Sequence, residues 1–239
     1  QIPKGVVDVI KQKSQVLPVP IEPDFFALNT LRKPVLTHED PPSLIPNNTH
    51  HQTNKKGSKR ALTIVWNHRW EYDKCPDLLL AIVQALEANT QRYNRHLNIT
   101  FHILGQHFRQ IPKAFTALKI RLQANHWLGE WGYLPCEHYK NILSQSDVVL
   151  STAIHDFQGL AVMEAVAAGC TPLLPKRVAY PEFFAQKYLY GKAQEQNNIL
   201  LAEDAVAKIL AYYNDFSQLQ APQINALSWA NLAARYQEL

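Results

Sequence analysis

From residue 61 onward, continuous apolar runs alternate with segments whose apolar residues recur every three or four positions. The run at 61–66 is typical of a strand buried on both faces of a sheet. The segment after Pro76 shows the apolar stripe of a helix, and proline is favoured in a helix's first turn. The pattern predicts strands at 61–66, 98–104, 126–131, 147–151, 171–174 and 188–190. It predicts helices at 76–88, 112–123, 136–144, 159–168, 202–213 and 226–237.

Strands that alternate with helices usually form a parallel sheet covered by helices on both faces. We therefore predict an α/β fold, a Rossmann-like parallel sheet, over residues 61–239. Ligands of such sheets bind beyond the carboxyl ends of the strands. The loops at 67–75, 105–111, 131–136 and 152–159 are therefore expected to line one cleft.

The first sixty residues lack this alternation and are expected to be mostly irregular. The residues around 6–11 have the character of a helix end. The segment at 15–21 reads as a short apolar strand interrupted by prolines, which suits an edge or a crossing segment. Residues 34–57 are rich in Pro, Asn, His and Thr, which is typical of a linker.

Composition and charge narrow the class of protein. Of 239 residues, 46% are hydrophobic and 18% are charged, which excludes a disordered chain. No stretch has the apolar length of a membrane span. The odd number of cysteines, Cys75, Cys136 and Cys170, and their spacing indicate reduced thiols in a cytoplasmic protein. The chain begins at Gln1 without Met or signal peptide, so we expect a fragment.

The excess positive charge lies at one place in the sequence. Residues 1–60 carry nine Lys and Arg against five Asp and Glu, and residues 61–239 carry fifteen of each. The segment at 55–60, KKGSKR, supplies four of the positive charges. This distribution permits a nucleic-acid partner but is equally typical of a solvated linker.

The loop after the first predicted strand carries the first candidate site residues. It reads NHRWEYDKCP over 67–76, with Arg69 and Lys74 five residues apart before a helix N-terminus. A guanidinium, an ammonium and free helical N–H groups suit a diphosphate. The alternative is a surface loop in which Glu71 and Asp73 neutralise the two cations. The sequence has no GxGxxG or Walker motif, which disfavours hydride-transfer and P-loop chemistry.

The loop after the fourth predicted strand carries two acids. Asp156 lies at the start of a predicted helix, and Glu164 lies about two turns further on. Carboxylates accept hydrogen bonds from paired sugar hydroxyls, so one acid could hold a hexose and the other a ribose diol. In the alternative interpretation, Asp156 caps the helix and Glu164 is solvated. The apolar residues around Glu164 favour the first interpretation.

These motifs resemble a known family. The acid pair, followed by AVAAGCTP at 165–172, looks like the Glu-x7-Glu signature of retaining GT-B glycosyltransferases, and Arg69 with Lys74 looks like their diphosphate clamp. More narrowly, the segments at 65–74, 151–157, 180–184 and 228–230 resemble the tRNA-queuosine mannosyltransferase family. Members of that family transfer mannose from GDP-mannose to queuosine in the anticodon of tRNA-Asp.

The resemblance implies a set of roles. Arg69 and Lys74 would stabilise the leaving diphosphate and Asp156 would hold the hexose, so these three are the expected catalytic residues. The expected donor-binding residues are Asn67, His68, Gly105, Tyr133, His155, Phe157, Gln158, Gly159 and Glu164. No metal and no cofactor are expected, because the cations replace the metal and the nucleotide sugar is a substrate. Asp156 departs from the family, which usually has Glu there.

The resemblance also has implications for the rest of the protein. Residues 1–60 would be the end of an N-terminal half and the interdomain linker, and 61–239 the nucleotide-sugar-binding domain. The missing N-terminal domain would supply much of the acceptor site, so we expect this chain alone to bind the donor without transferring sugar. Two alternatives stay open: a transferase that uses a UDP-sugar to build a glycan or lipid, and a non-catalytic nucleotide-binding module.

Overall fold

The structure is a computed structural model that describes residues 5–30, 60–107, 110–193 and 195–238. In these ranges the α-helices are α1 (Val6–Lys13), α2 (Pro23–Thr30), α3 (Pro76–Arg92), α4 (Ala114–Ala124), α5 (Cys136–Gln145), α6 (Leu160–Ala167), α7 (Tyr180–Phe183), α8 (Asn198–Asn214) and α9 (Trp229–Gln237). The strands are β1 (Leu62–Asn67), β2 (Ile99–Leu104), β3 (Leu128–Gly132), β4 (Val148–Leu150), β5 (Thr171–Pro175) and β6 (Leu189–Tyr190).

The strands form one parallel sheet in the order β3-β2-β1-β4-β5-β6. β1 lies in the middle, where Ile64 is in register with Phe101 of β2 and with Val148 of β4. The order reverses direction between β1 and β4, which makes their carboxyl ends the topological switch point where ligands of such sheets bind. The predicted α/β class and Rossmann-like parallel sheet are confirmed.

Each face of the sheet has its own apolar core. On one face, β1 packs with α3, α4 and α8 around side chains such as Trp66, Phe101 and Leu118. On the other face, Val65 and Val149 pack with α2, α5 and α6. A strand buried on both faces is mostly apolar, which is why 61–66 shows no regular alternation of apolar and polar residues and Thr63 is its one polar side chain.

Most predicted elements form, with ends displaced by a few residues. The largest differences are at helix starts and ends. α3 continues to Arg92, four residues past its predicted end. α8 begins at Asn198, because the side chain of Asn197 accepts a hydrogen bond of 2.9 Å from the N–H of Ile199 and so caps the helix.

The N-terminal segment corrects two predictions. The strand predicted at 15–21 does not form, and Ile21 makes only a single bridge to Ser228. Pro18 and Pro20 lack the N–H groups that a strand ladder needs. The predicted irregularity is also wrong for 23–30, where α2 buries Phe25 against the sheet. The predicted linker at 34–57 lies outside the described residues.

Within the described ranges, no helix is long and apolar enough to cross a membrane.

Two glycines at the carboxyl edge give a direct test of this packing. Gly105 follows β2 with a φ of +146°, and a Cβ there would lie 1.8 Å from the carbonyl oxygen of His68. Gly132 ends β3 with a φ of +98°, and a Cβ there would meet no atom within 4 Å. Gly105 donates its N–H to the carbonyl of Gly132 at 3.0 Å, so both glycines sit at one point of the edge.

We expect Gly132→Ala to lower the free energy of unfolding by about 1–3 kcal/mol, because only backbone strain is added. Gly105→Ala should lower it further, because the backbone of His68 must also move. Urea denaturation of the two variants measures the difference. Equal losses would show that the close approach of Gly105 to His68 is unimportant.

Candidate functional site

A cavity of about 650 Å³ opens at the carboxyl ends of β1, β2 and β4. Its walls come from the loops that follow these strands and β3, from the starts of α5 and α6, and from residues before and within α2. The predicted site residues that line it are Asn67, His68, Arg69, Lys74, Gly105, Tyr133, Asp156, Phe157, Gln158, Gly159 and Glu164. The sequence pattern therefore identified one cavity from segments that are far apart in the chain.

His155 is the predicted site residue that does not line this cavity. Its contribution is through the backbone: its carbonyl oxygen accepts a hydrogen bond of 2.7 Å from Lys74 Nζ. Its N–H in turn donates to the carbonyl of Asp73. His155 thus joins the loop after β4 to the loop after β1, and direct binding of a ligand by its imidazole stays a prediction.

The ammonium of Lys74 is buried and has three acceptors. Its Nζ lies 2.7 Å from His155 O, 3.1 Å from Asp156 Oδ1 and 3.1 Å from Asp73 Oδ2. Only 8% of the side chain is exposed, so these contacts replace water around the charge. The ion pair with Asp73 that the surface-loop alternative predicted does form, but the residue is not on the surface.

Asp156 is held from two sides. Lys74 donates to its Oδ1, and the hydroxyl of Tyr180 donates to its Oδ2 at 2.6 Å. The pKa of Tyr180 is raised well above its usual value by burial and by the neighbouring Asp156 charge. The interpretation of Asp156 as a helix cap is wrong, because the N-cap of α6 is Gly159 with φ 75° and no side chain caps it.

Glu164 lies on α6 and is half-buried at the wall of the cavity. The hydroxyl of Tyr139 on α5 donates to its Oε2 at 2.7 Å. Burial raises the pKa of the Glu164 carboxyl, and the charge of Glu22 adds to this, while the hydrogen bond from Tyr139 opposes it. The alternative of a fully solvated Glu164 is therefore wrong.

Asn67 and His68 form the floor beside β1. The amide of Asn67 donates to Tyr139 Oη at 3.0 Å and to the carbonyl of Ala161 at 2.7 Å. His68 is buried with its ring edge-on to Trp66, at 5.0 Å between centroids. Burial lowers the pKa of His68 to about 4, so its imidazole is neutral at pH 7.

The rim of the cavity is more exposed than its floor. Arg69 pairs with Glu71 at 3.0 Å, yet 56% of its side chain is exposed. Phe157 and Tyr133 are also exposed. Arg69 therefore has the freedom to meet a charged ligand, since an exposed ion pair of this kind is weak.

Several residues of the cavity were not predicted from the sequence. They are Val19, Glu22, Phe25, Leu104, Tyr139, Leu160 and Ala161, whereas Gln106, Leu134 and Cys136 lie in loops that were predicted to line the cleft. Val19 is held by Gln158, whose side-chain amide accepts from the N–H of Val19 and donates to its carbonyl, both at 2.8 Å. No local motif identifies such residues, because their place in the site depends on segments that meet only in the folded chain.

The positive segment at 55–60 is described only at Arg60. Its guanidinium forms a two-point ion pair with Asp147, at 2.7 and 2.9 Å, next to β4. This residue stabilises the amino-terminal edge of the sheet and is not part of the cavity.

No group of three or more His, Cys, Asp or Glu side chains in the described residues is arranged to hold a metal ion. The expectation of metal-independent chemistry stays a prediction.

The sequence is similar to that of a named enzyme over most of this chain. No family model matches the sequence. The chain is 30% identical over 188 residues to a Drosophila melanogaster protein named tRNA-queuosine alpha-mannosyltransferase. The match covers 79% of this chain and 44% of that protein, so the chain spans less than half the length of the relative.

Solved structures define the fold. A glycosyltransferase from Rickettsia africae superimposes with a TM-score of 0.58 at 15% identity, over 95% of this chain and 56% of that one. The pneumococcal O-GlcNAc transferase, solved with UDP and GlcNAc, superimposes with a TM-score of 0.52 at 19% identity, over 74% of this chain and 31% of that one. The fold is that of a GT-B glycosyltransferase domain. The predicted resemblance to GT-B glycosyltransferases is thereby confirmed at the level of the fold.

A third solved structure is covered by the match over almost its whole length. The catalytic domain of the cholesterol-alpha-glucosyltransferase from Helicobacter pylori has a TM-score of 0.50 at 20% identity, over 73% of this chain and 99% of that one. Together with the Drosophila relative, these structures support the prediction of a glycosyltransferase domain.

The neutral His68 gives a prediction for stability. Its pKa of about 4 in the folded GT-B domain lies below the ordinary value of 6.5, so the unfolded chain binds the proton more readily. The contribution of His68 to stability is therefore present above pH 6.5 and is lost as the pH falls towards 4. Between pH 7.5 and 5 the loss should be about 2 kcal/mol.

We expect His68→Leu, which cannot bind a proton, to lose correspondingly less stability than the parent over this pH range. Denaturant unfolding at several pH values measures the slope, and His96→Leu, at an exposed histidine, is the matched control. If His68→Leu kept the pH dependence of the parent, the imidazole would not be neutralised by burial.

Proposed function

We propose that this chain supplies the donor site of a retaining, metal-independent glycosyltransferase that transfers mannose from GDP-mannose to queuosine in the anticodon of tRNA-Asp. The supporting observation is that two cations, Arg69 and Lys74, and two acids, Asp156 and Glu164, line one cavity at the switch point of the sheet. The name of the Drosophila relative supports the choice of donor sugar and acceptor. In this proposal the enzyme is cytoplasmic and a second GT-B domain contributes the acceptor side.

The cavity has suitable dimensions and charge for a nucleotide sugar. Its volume of about 650 Å³ lies in the range of small-molecule sites. Its charged side chains belong to two groups, with Arg69, Lys74 and Asp156 at one part of the wall and Glu22 and Glu164 at another. A ligand with an anionic centre and hydroxyl groups at both ends matches this arrangement.

Arg69 is proposed to bind the diphosphate directly. Its present partner, Glu71, is a neighbour in an exposed pair, and a bound diphosphate offers more negative charge and two-point geometry. As the bond between the sugar and the diphosphate breaks, negative charge grows on the leaving oxygen. A guanidinium at this point stabilises the transition state more than the ground state.

Lys74 has a different starting position. Its three N–H donors already meet His155 O, Asp156 and Asp73, so it must exchange one acceptor to reach a phosphate. Asp73 is the most exposed of the carboxylate partners, at 30% against 14% for Asp156. We propose that Lys74 exchanges Asp73 for the diphosphate and keeps Asp156 in place.

Asp156 and Glu164 are proposed to hold the two sugars. Lys74 and Tyr180 fix the carboxylate of Asp156, which leaves its remaining lone pairs for hexose hydroxyls. Glu164 accepts from Tyr139 through one oxygen, and its other oxygen can accept from the ribose. The amides of the loop at 157–159, at the start of α6, can contact the sugar or the distal phosphate.

The proposed diphosphate contact leads to a prediction for nucleotide binding. GDP should bind this chain more tightly than UDP or ADP, and Arg69→Ala should weaken GDP by roughly ten- to a hundredfold, the value of one charge-assisted contact. Guanosine, which lacks the diphosphate, should bind the variant as it binds the parent. Isothermal titration with each ligand provides these values.

Arg121→Ala is the matched control, because Arg121 pairs with Glu87 between α4 and α3, away from the cavity. Unchanged GDP affinity in Arg69→Ala would show that Arg69 forms only a surface ion pair with Glu71 and does not bind the diphosphate. Tighter binding of UDP than GDP would overturn the proposed donor while leaving a nucleotide site.

Another prediction distinguishes the proposed roles of Asp156 and Glu164. Glu164→Gln should weaken GDP and GDP-mannose alike, because both contain the ribose. Asp156→Asn should weaken GDP-mannose more than GDP, because only GDP-mannose brings the hexose, whereas the loss of the ion pair with Lys74 affects both ligands. Titration of both variants with both ligands tests these roles, and equal losses of both ligands in Asp156→Asn would exclude a role specific to the hexose.

A further inference from the structure

Tyr139 connects three walls of the cavity through its hydroxyl group. The hydroxyl donates to Glu164 Oε2 at 2.7 Å and accepts from Asn67 Nδ2 at 3.0 Å. Asn67 ends β1, Tyr139 lies on α5 and Glu164 lies on α6. The sequence motifs assign no function to Tyr139, and the roles proposed above do not include it.

The direction of these hydrogen bonds is fixed by their partners. Asn67 also contacts the carbonyl oxygen of Ala161 at 2.7 Å, and a carbonyl can only accept, so the amide nitrogen must face it. The same nitrogen then donates its second hydrogen to Tyr139 Oη. Because Oη accepts there, its single proton is directed to Glu164.

The ring of Tyr139 is itself held in place. It packs edge-on against Phe25 of α2, with 6.3 Å between centroids and 79° between planes. The residue is buried enough that desolvation and the Glu164 charge raise its pKa well above the usual value, so the hydroxyl keeps its proton. Because the ring is fixed and its hydroxyl proton is directed to Glu164, the carboxylate of Glu164 has one preferred orientation.

We propose that Tyr139 is a positioning residue that orients the Glu164 carboxylate for a ribose diol, an inference that rests on the donor site proposed above. With Oε2 engaged by Tyr139, Oε1 is the oxygen left for the ligand, and no described residue donates a hydrogen bond to it. Without Tyr139 the side chain of Glu164 regains rotamer freedom, and binding a diol must then overcome that entropy.

The test compares GDP with 2′,3′-dideoxy-GDP, which lacks the diol. The parent chain should prefer GDP. Tyr139→Phe keeps the ring and should reduce this preference by roughly three- to tenfold, with the affinity for dideoxy-GDP nearly unchanged, because the diol is bound through Glu164 and Asn67 keeps its hydrogen bond to the carbonyl of Ala161. Glu164→Asp retains the charge but withdraws it from Tyr139, and should show the same loss of preference.

Two controls exclude a merely structural effect. Tyr213→Phe removes another buried hydroxyl, one that accepts from the N–H of Asn98 at the other end of the sheet, and should keep the preference of the parent. In a Glu164→Ala background, Tyr139→Phe should no longer alter the ratio of the two affinities, because the residue acts through Glu164. Thermal unfolding confirms that each variant is folded.

The outcomes distinguish this inference from the proposed function. Parent-like preference in Tyr139→Phe, or equal weakening of both ligands, overturns the positioning role even if Glu164→Gln confirms the ribose contact. If the parent itself does not distinguish GDP from dideoxy-GDP, the ribose role of Glu164 fails and this inference fails with it.

Discussion

The buried ion pair between Lys74 and Asp156 is the interaction on which the cavity depends. It joins the loop after β1 to the loop after β4, and the surrounding contacts reinforce the same connection. The hydroxyl of Thr152 donates to the carbonyl of Lys74 at 2.6 Å and accepts from Trp66 Nε1 at 2.9 Å. Removing one partner of a buried pair leaves an unpaired charge and typically costs about 3–5 kcal/mol. The two loops therefore hold their relative positions before any ligand binds.

This pair also sets the electrostatic character of the site. Lys74 carries one positive charge between the carboxylates of Asp73 and Asp156, so the cluster has a negative balance without ligand. His68 cannot offset it at neutral pH, because burial keeps its imidazole uncharged. A diphosphate would thus depend on the exposed guanidinium of Arg69 and on a rearrangement of Lys74. The proposed ligand brings sugar hydroxyls as well as phosphate, and these hydroxyls would meet the carboxylates that would repel phosphate alone.

The sequence predicted the sheet and the loops of the cavity because both depend on local patterns. The unbroken apolar run at 61–66 identifies the central strand, and the positions where runs end identify the carboxyl edge. The strand prediction at 15–21 was wrong for the opposite reason. The apolar residues of this segment resemble a strand, but contacts with 227–228 and with Gln158 decide its structure. Tyr139 was not predicted as a site residue because it lies among the polar residues of α5, and only the fold brings it to Glu164.

The N-terminal segment takes part in the cavity despite its distance in sequence. Gln158 holds Val19 by two hydrogen bonds across 139 positions, and Lys140 pairs with Asp24 at 2.8 Å. These contacts bring Glu22 towards Glu164 and Phe25 against Tyr139, so the residues before β1 affect both the charge and the orientation of the proposed ribose acid. The domain boundary at residue 60, which was inferred from the sequence, stays a prediction. In physical terms, residues 19–25 belong with the cavity, because it would lose one wall without them.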